Sequence, residues 1–85
     1  MSKFEKLLER FLKRPKDFTY DELVRLLSAF GYIGDSKGKT SGSRMIFYNE
    51  RLQHPIMLHK PHPGNILKQY QIKDIMKELK DKNVL

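Results

Sequence analysis

The 85-residue sequence contains no cysteine and no tryptophan. Without cysteine, the chain can form neither a disulfide framework nor a thiolate metal site. The sequence also lacks an apolar run long enough to cross a membrane, and its first residues, Met1-Ser2-Lys3-Phe4-Glu5, lack the apolar core of a signal peptide. We therefore expect a cytoplasmic protein that does not contact the membrane.

Positive charge is the feature that the sequence has in excess. Seventeen lysines and arginines face ten acidic residues, which gives a net charge of +7. A broad basic surface favours a polyanion such as nucleic acid, or an acidic protein partner. The length predicts a single domain over residues 1–85, and 39% hydrophobic with 32% charged residues is typical of a globular chain.

Three stretches have the periodicity of amphipathic helices. The first covers residues 3–13, and its apolar stripe predicts packing on the domain or against a second copy of the chain. The second opens with Thr19 and Glu22 at capping-box spacing and ends before Gly31. The last is predicted over about residues 71–82, with Ile66, Leu67 and Tyr70 anchored inward in the connection before it.

Three strands are predicted between the second and the last helix. The first begins at Tyr32-Ile33, the second covers residues 43–49 and the third covers residues 55–60. Alternation along the second strand places Arg44 and Tyr48 on one face. In the third strand, the same alternation places Ile56 and Leu58 on one face and Met57 and His59 on the other.

This order of elements predicts the fold class. Helices packed on one face of a three-stranded meander form an α+β two-layer sandwich, which leaves the other sheet face for solvent or a partner. The order α-β-β-β-α is that of a double-stranded-RNA-binding domain. Here it carries an additional N-terminal helix.

The glycine-rich loop between the first two strands resembles a phosphate-binding loop only superficially. Gly38-Lys39-Thr40 lies too close to the upstream glycine, and a strand follows where that motif requires a helix. We therefore exclude a nucleotide-binding loop. Lys37 and Lys39 are instead predicted to meet the phosphates of a polymer.

The candidates for chemistry are histidines and one arginine. His59, His62 and Arg44 lie near strand ends where they can converge, whereas His54 is expected to be exposed in a turn. Histidine suits the two proton transfers of RNA cleavage, and arginine suits the charged phosphate. The histidine spacing does not indicate a metal site, so we predict neither metal nor cofactor. The alternative is that these are ordinary residues of a half-exposed sheet.

The chain resembles the HicA-type (YcfA-like) mRNA interferase toxins over about residues 19–85. The resemblance rests on motifs in a particular order: Phe30-Gly31-Tyr32, Gly42-Ser43-Arg44, His62-Pro63-Gly64-Asn65-Ile66-Leu67, and the continuation through Lys68-Gln69-Tyr70-Gln71-Ile72-Lys73-Asp74-Ile75. It implies a double-stranded-RNA-binding-like core at residues 17–85, with residues 1–16 as a helical extension that supports the fold or a dimer.

The same resemblance implies a function. It implies an endoribonuclease that cleaves mRNA without a metal, and a HicB-like antitoxin that binds the toxin and commonly buries its active site. The predicted catalytic residues are His59, His62 and Arg44. The residues predicted to contact RNA are Lys37, Lys39, Ser43, Arg44, Tyr48, Lys60 and Lys68.

The chain departs from the family at one position. The family usually carries Gly-Ser-His at the start of the second strand, and that histidine is the catalytic one, whereas this chain has Arg44. Arginine cannot act as a general base. Either proton transfer has moved to His59 or His62, with Arg44 holding the phosphate, or cleavage is lost and a binding domain remains. A third alternative is a module whose main contact is an acidic protein, without a role toward RNA.

Overall fold

The computed structural model describes residues 3–35, 44–61 and 64–85, with only the backbone of Asp35 and Arg44. Three helices and a three-stranded antiparallel sheet in the order β1-β2-β3 confirm the α+β prediction. The elements are α1 Lys3–Leu12, α2 Tyr20–Ala29, β1 Tyr32–Asp35, β2 Arg44–Asn49, β3 His54–His59 and α3 Gln69–Asp81. In the described part of the chain, no helix is long and apolar enough to span a membrane.

The start and end of α2 follow the sequence signals. The Glu22 backbone N–H donates to Thr19 Oγ1 at 3.1 Å, and the Thr19 N–H donates to Glu22 Oε1 at 2.9 Å. This is the predicted capping box. Gly31 follows the helix with φ +98°, a left-handed conformation that favours glycine and turns the chain into β1.

One sheet face supports the core. Phe47 of β2 and Ile56 and Leu58 of β3 are buried beneath the helices, as their alternation predicted. Helices α2 and α3 contribute six buried residues to the core, namely Leu23, Leu26, Leu27, Ile72, Ile75 and Leu79. After α3, the chain folds back, because the Val84 N–H donates to the Leu79 carbonyl at 2.8 Å.

The extension α1 packs on α2. Phe4 meets Phe30 edge-on with ring centroids 5.4 Å apart, and the fully buried Phe11 lies against Phe18. Arg10 donates to Glu22 at 2.9 Å and therefore supports the carboxylate that caps α2. The N-terminal helix thus contributes directly to the core and to the α2 cap.

Two details of the connection before α3 differ from the prediction. The helix begins at Gln69 rather than near residue 71, because the Gln71 side chain accepts the free N–H of Lys68 and so caps the helix earlier. Leu67 is buried as predicted, but Tyr70 and Ile66 are exposed. In the first turn of α3, Tyr70 is exposed, whereas Gln71 is buried beside Ile72, which was predicted to face inward.

Candidate nucleic-acid interface

The outer face of the sheet carries two of the predicted site residues. His59 and Tyr48 are both exposed there, together with Ile46 and Met57. The backbone of Arg44 pairs with that of His59 in the antiparallel register. Directly paired residues lie about 5 Å apart at their Cα atoms, so two of the three predicted catalytic positions are cross-strand neighbours.

Tyr48 lies farther along the same face. Its partner in β3 is Pro55, which is separated from His59 by most of the strand. At the usual rise this separation is about 13 Å. Tyr48 therefore lies too far from His59 to share a reacting phosphate with it, and it can contact only another part of a long ligand.

The end of β3 is tied to the start of α3 by one side chain. Gln71 is buried, its Nε2 donates to the His59 carbonyl at 2.9 Å, and its Oε1 accepts the Lys68 N–H at 3.0 Å. This clamp was not predicted from the sequence, because the residue at the helix N-cap is a lysine rather than serine or threonine. Gln71 thus fixes the backbone of His59 relative to that of Lys68.

The two helices that cover the sheet begin side by side at this edge. The Tyr20 N–H donates to the Asn65 carbonyl at 2.8 Å, and the Leu67 N–H donates to the Phe18 carbonyl at 2.9 Å. The segment after β3 therefore contacts the first turn of α2 and leads directly into α3. At the opposite end of β3, Glu78 of α3 contacts His54, so α3 runs antiparallel to β3.

The charge at this edge favours an anion. The first turn of α3 contains no acidic residue, so its free N–H groups and the positive end of its dipole are not offset by a carboxylate. Lys68 is exposed at the N-cap, and Lys60 Nζ lies 5.5 Å from the centre of the Tyr20 ring. The first turn of α2 carries Asp21 and Glu22, but Glu22 is engaged by Arg10.

A small groove adjoins His59. About 100 Å³ in volume, it runs between β3 and α3 and is lined by Met57, Tyr70, Gln71 and Asp74 besides His59. Exposed Tyr70 presents an aromatic ring at its rim, which is the kind of side chain on which a nucleic-acid base stacks. The sequence prediction missed Tyr70, because it placed this residue in an inward-anchored connection and not in the first turn of α3.

Several predicted residues fall outside the part of the chain that the structure describes. His62, Lys37, Lys39 and Ser43 lie outside the described residues, as does the side chain of Arg44. Their assignments as catalytic or RNA-binding residues stay predictions. In residues 3–35, 44–61 and 64–85, no cluster of three or more histidine or acidic side chains has the arrangement of a metal site.

The prediction that His54 is exposed was wrong. Its ring is buried at the start of β3, with Nδ1 2.7 Å from the Tyr32 hydroxyl and Nε2 3.2 Å from Glu78 Oε1. Burial raises the pKa of Tyr32 above its usual value, and the Glu78 charge adds to this. Because His54 and His59 lie at opposite ends of β3, the Tyr32–His54–Glu78 chain belongs to the core and not to the candidate site.

Comparison with known proteins gives one family. Residues 20–80 match the family model described as "HicA toxin of bacterial toxin-antitoxin", which covers more than half of the chain. The chain therefore belongs to the HicA toxin family, as the motifs predicted. No curated protein and no solved structure matched the chain.

Proposed function

We propose that this chain is the toxin of a toxin–antitoxin pair and that it cleaves mRNA without a metal. The observation that supports this most directly is the cross-strand pairing of Arg44 with His59, beside the N-terminus of α3. It brings a residue that transfers protons and a residue that binds phosphate to one sheet edge. The acid-free first turn of α3 adds a favourable potential for the RNA backbone.

The proposed reaction is an internal transesterification of RNA. His59 or His62 removes the proton of a 2′-hydroxyl, whose oxygen attacks the adjacent phosphorus. Arg44 meets the charge that develops on the phosphoryl oxygens. The other histidine protonates the departing 5′-oxygen, so the products are a 2′,3′-cyclic phosphate and a free 5′-hydroxyl. This arrangement transfers to histidines of β3 and its exit the role that the family's histidine holds at position 44.

The remaining contacts follow the charged edge. Lys60 and Lys68 bind phosphates next to the cleaved bond, and Lys37, Lys39 and Ser43 bind them from the segment before β2. Tyr48 contacts the RNA at a more distant point, about 13 Å along the sheet. The proposal takes residues 1–85 as one cytoplasmic domain with a double-stranded-RNA-binding-like core. The inclusion of Phe11 and Phe18 in the hydrophobic core supports the part of this proposal that treats the chain as one domain.

The test is cleavage of RNA by the purified chain in EDTA over a range of pH. We expect cyclic-phosphate ends, and a rate that falls at least about a hundredfold in His59→Ala or Arg44→Ala. Arg51→Ala, in the exposed β2–β3 turn, is the matched control and keeps full activity. Intact RNA at every pH, or equal rates in all of these variants, would contradict the proposal.

The apolar part of the outer sheet face favours a second contact, with a protein. Ile33, Met57, Tyr48 and Ile46 are all substantially exposed on it. Contiguous apolar surface of this kind is typical of a protein interface. We propose that a HicB-like antitoxin covers this face and His59 with it. Co-purification with the product of the neighbouring reading frame should be lost in Met57→Asp and retained in Lys77→Asp, which changes the solvent-exposed face of α3.

If RNA is bound but never cut, the chain is an inactive RNA-binding domain, which a salt-dependent mobility shift identifies.

A further inference from the structure

A second recessed surface lies on the helical side of the molecule. It is a groove of about 470 Å³ between α1 and α2, here called the α1–α2 groove. Its floor is apolar and is formed by Phe4, Leu7 and Ala29. The match to the HicA family begins at residue 20, so the α1 wall of this groove belongs to the part of the chain that the family does not cover.

Cations surround this floor. Lys3, Lys6, Arg10 and Arg25 line the groove, against one carboxylate, that of Glu22. Glu22 is already engaged by Arg10 at 2.9 Å. Lys3, Lys6 and Arg25 form no ion pair within the described residues, and all three are exposed. Three positive charges therefore remain uncompensated around an apolar strip.

We propose that the α1–α2 groove binds an acidic amphipathic helix of a partner protein. The apolar strip suits the leucine-type face of such a helix, and the cationic rim suits its acidic flanks. A helix lying between two others is the ordinary mode of helix packing. The ten residues of α1 span about 15 Å, which matches a partner helix of three turns.

Two other occupants fit the groove less well. An RNA backbone satisfies the cations but leaves Phe4 and Leu7 without an apolar partner. A second copy of this chain carries a net charge of +7, and its own α1 is also net positive. The charge on the rim thus selects an acidic protein segment over both.

This inference does not depend on the proposed nuclease activity. Arg25 and Ala29 are exposed on α2, whereas Leu23, Leu26 and Leu27 of the same helix face the sheet. The groove therefore opens on the opposite side from His59 and the outer sheet face. A helix bound in the groove and an RNA bound at the sheet edge should not compete.

The test uses a fluorescein-labelled peptide of about 14 residues with capped ends. Leucines at positions i, i+3, i+4 and i+7 form its apolar stripe, and glutamates fill its other face. Fluorescence anisotropy with the full chain should show saturable binding. A control peptide of identical composition, with the same leucines moved to every second position, should bind at least about fivefold more weakly because it has no helical stripe.

Matched variants locate the binding. Lys6→Gln with Arg25→Gln should weaken the peptide about fivefold, and Ala29→Gln should weaken it by filling the floor without changing charge. Lys77→Gln with Lys80→Gln removes the same charge from α3 and should change the affinity by less than about twofold. All three positions used for the groove are exposed, so the variants keep the wild-type melting temperature.

Other outcomes overturn the inference. Equal weakening in the α3 variant would show that only net charge attracts the peptide. Equal binding of the alternating peptide would show that no amphipathic helix is recognised. Displacement of the peptide by single-stranded RNA would make the groove part of an RNA surface. A dimer in sedimentation that dissociates on adding peptide would assign the groove to a second copy.

Discussion

Gln71 Nε2 donates a hydrogen bond of 2.9 Å to the carbonyl oxygen of His59. The same side chain accepts the N–H of Lys68 at the start of α3. One buried amide therefore sets the distance between the strand that carries the proposed proton-transfer residue and the helix end that attracts phosphate. The proposed site therefore depends on a side chain that is itself buried.

Replacing this amide should cost both stability and activity. Gln71→Ala leaves the Lys68 N–H and the His59 carbonyl unpaired, and we expect the free energy of unfolding in urea to fall by about 2 kcal/mol. Gln71→Glu keeps the acceptor for Lys68, replaces the donor to the His59 carbonyl by an oxygen and adds a negative charge beside the site. In cleavage assays this second variant should lower kcat more than it raises KM. Wild-type kcat in a folded Gln71→Glu protein would show that the clamp is only structural.

Tyr32 should make stability decline at alkaline pH. Its raised pKa means that the native state holds the phenolic proton more tightly than the unfolded chain does. The resulting stability is present below about pH 10 and is lost as the pH rises above that value. Tyr32→Phe should cost about 1 kcal/mol at pH 7, because His54 Nδ1 loses its partner.

The difference between wild type and Tyr32→Phe should therefore narrow in urea titrations carried out above pH 10. Tyr48→Phe removes an exposed hydroxyl and is the control for the loss at pH 7. A difference that stays constant from pH 7 to about pH 11 would contradict this expectation.

Glu22 should make the folding stability decline at acid pH. Burial disfavours its ionised form, but the hydrogen bonds from Arg10 and Thr19 outweigh burial and lower the pKa below its usual value. Its stabilising effect is therefore present above about pH 4.5 and is lost as the pH falls through the lowered pKa. Glu22→Gln should cost up to about 1 kcal/mol at pH 7. In acid, where wild-type Glu22 is itself protonated, the cost should disappear.

The matched control for Glu22 is Glu50→Gln, which makes the same change in net charge in an exposed turn. It should leave the unfolding free energy at pH 7 unchanged within about 0.5 kcal/mol. Equal effects of the two variants at pH 7 would show that net charge, and not the contact with Arg10, is responsible.

The core of this chain should extend beyond the region that matches the family. Phe11 precedes that region and is fully buried against Phe18. Phe11→Ala should lower the free energy of unfolding by about 3 to 5 kcal/mol, because it leaves a cavity in a small core. Leu12→Ala, at the neighbouring exposed position, should cost less than about 1 kcal/mol. A loss in Phe11→Ala as small as that expected for Leu12→Ala would show that α1 is not part of the cooperative unit.

Much of the fold was predictable because its signals are local. Thr19 and Glu22 are separated by one helical turn, and Gly31 follows directly where α2 ends. Strand alternation likewise needs only neighbouring residues, which is why the buried Phe47 and the exposed Tyr48 were assigned to the correct faces. Patterns of this kind are complete within a short window of sequence.

The features that the sequence did not predict depend on distant partners. His54 is buried because Tyr32 and Glu78, which lie 22 and 24 residues away, complete its hydrogen bonds. Without those partners, a histidine in front of a proline is typical of an exposed turn. The position of Tyr70 depended on where α3 begins, and the side chain that sets this beginning acts through a contact with the end of β3. Only tertiary structure supplies such information.

The acid-free N-terminus of α3, which lies beside the start of α2, affects the rate at which a charged ligand arrives. Both helices begin beside the exit of β3, where the Phe18–Leu67 and Tyr20–Asn65 contacts join them. The first turn of α2 carries Asp21 and Glu22, which offset its dipole, whereas the acid-free first turn of α3 acts on an approaching anion before any hydrogen bond forms. If the proposed function holds, an RNA strand that diffuses toward the molecule should be turned toward this end of the sheet, and more of its collisions should become productive. Added salt should slow this capture steeply, while the escape of a bound strand, which depends on short contacts, should change far less.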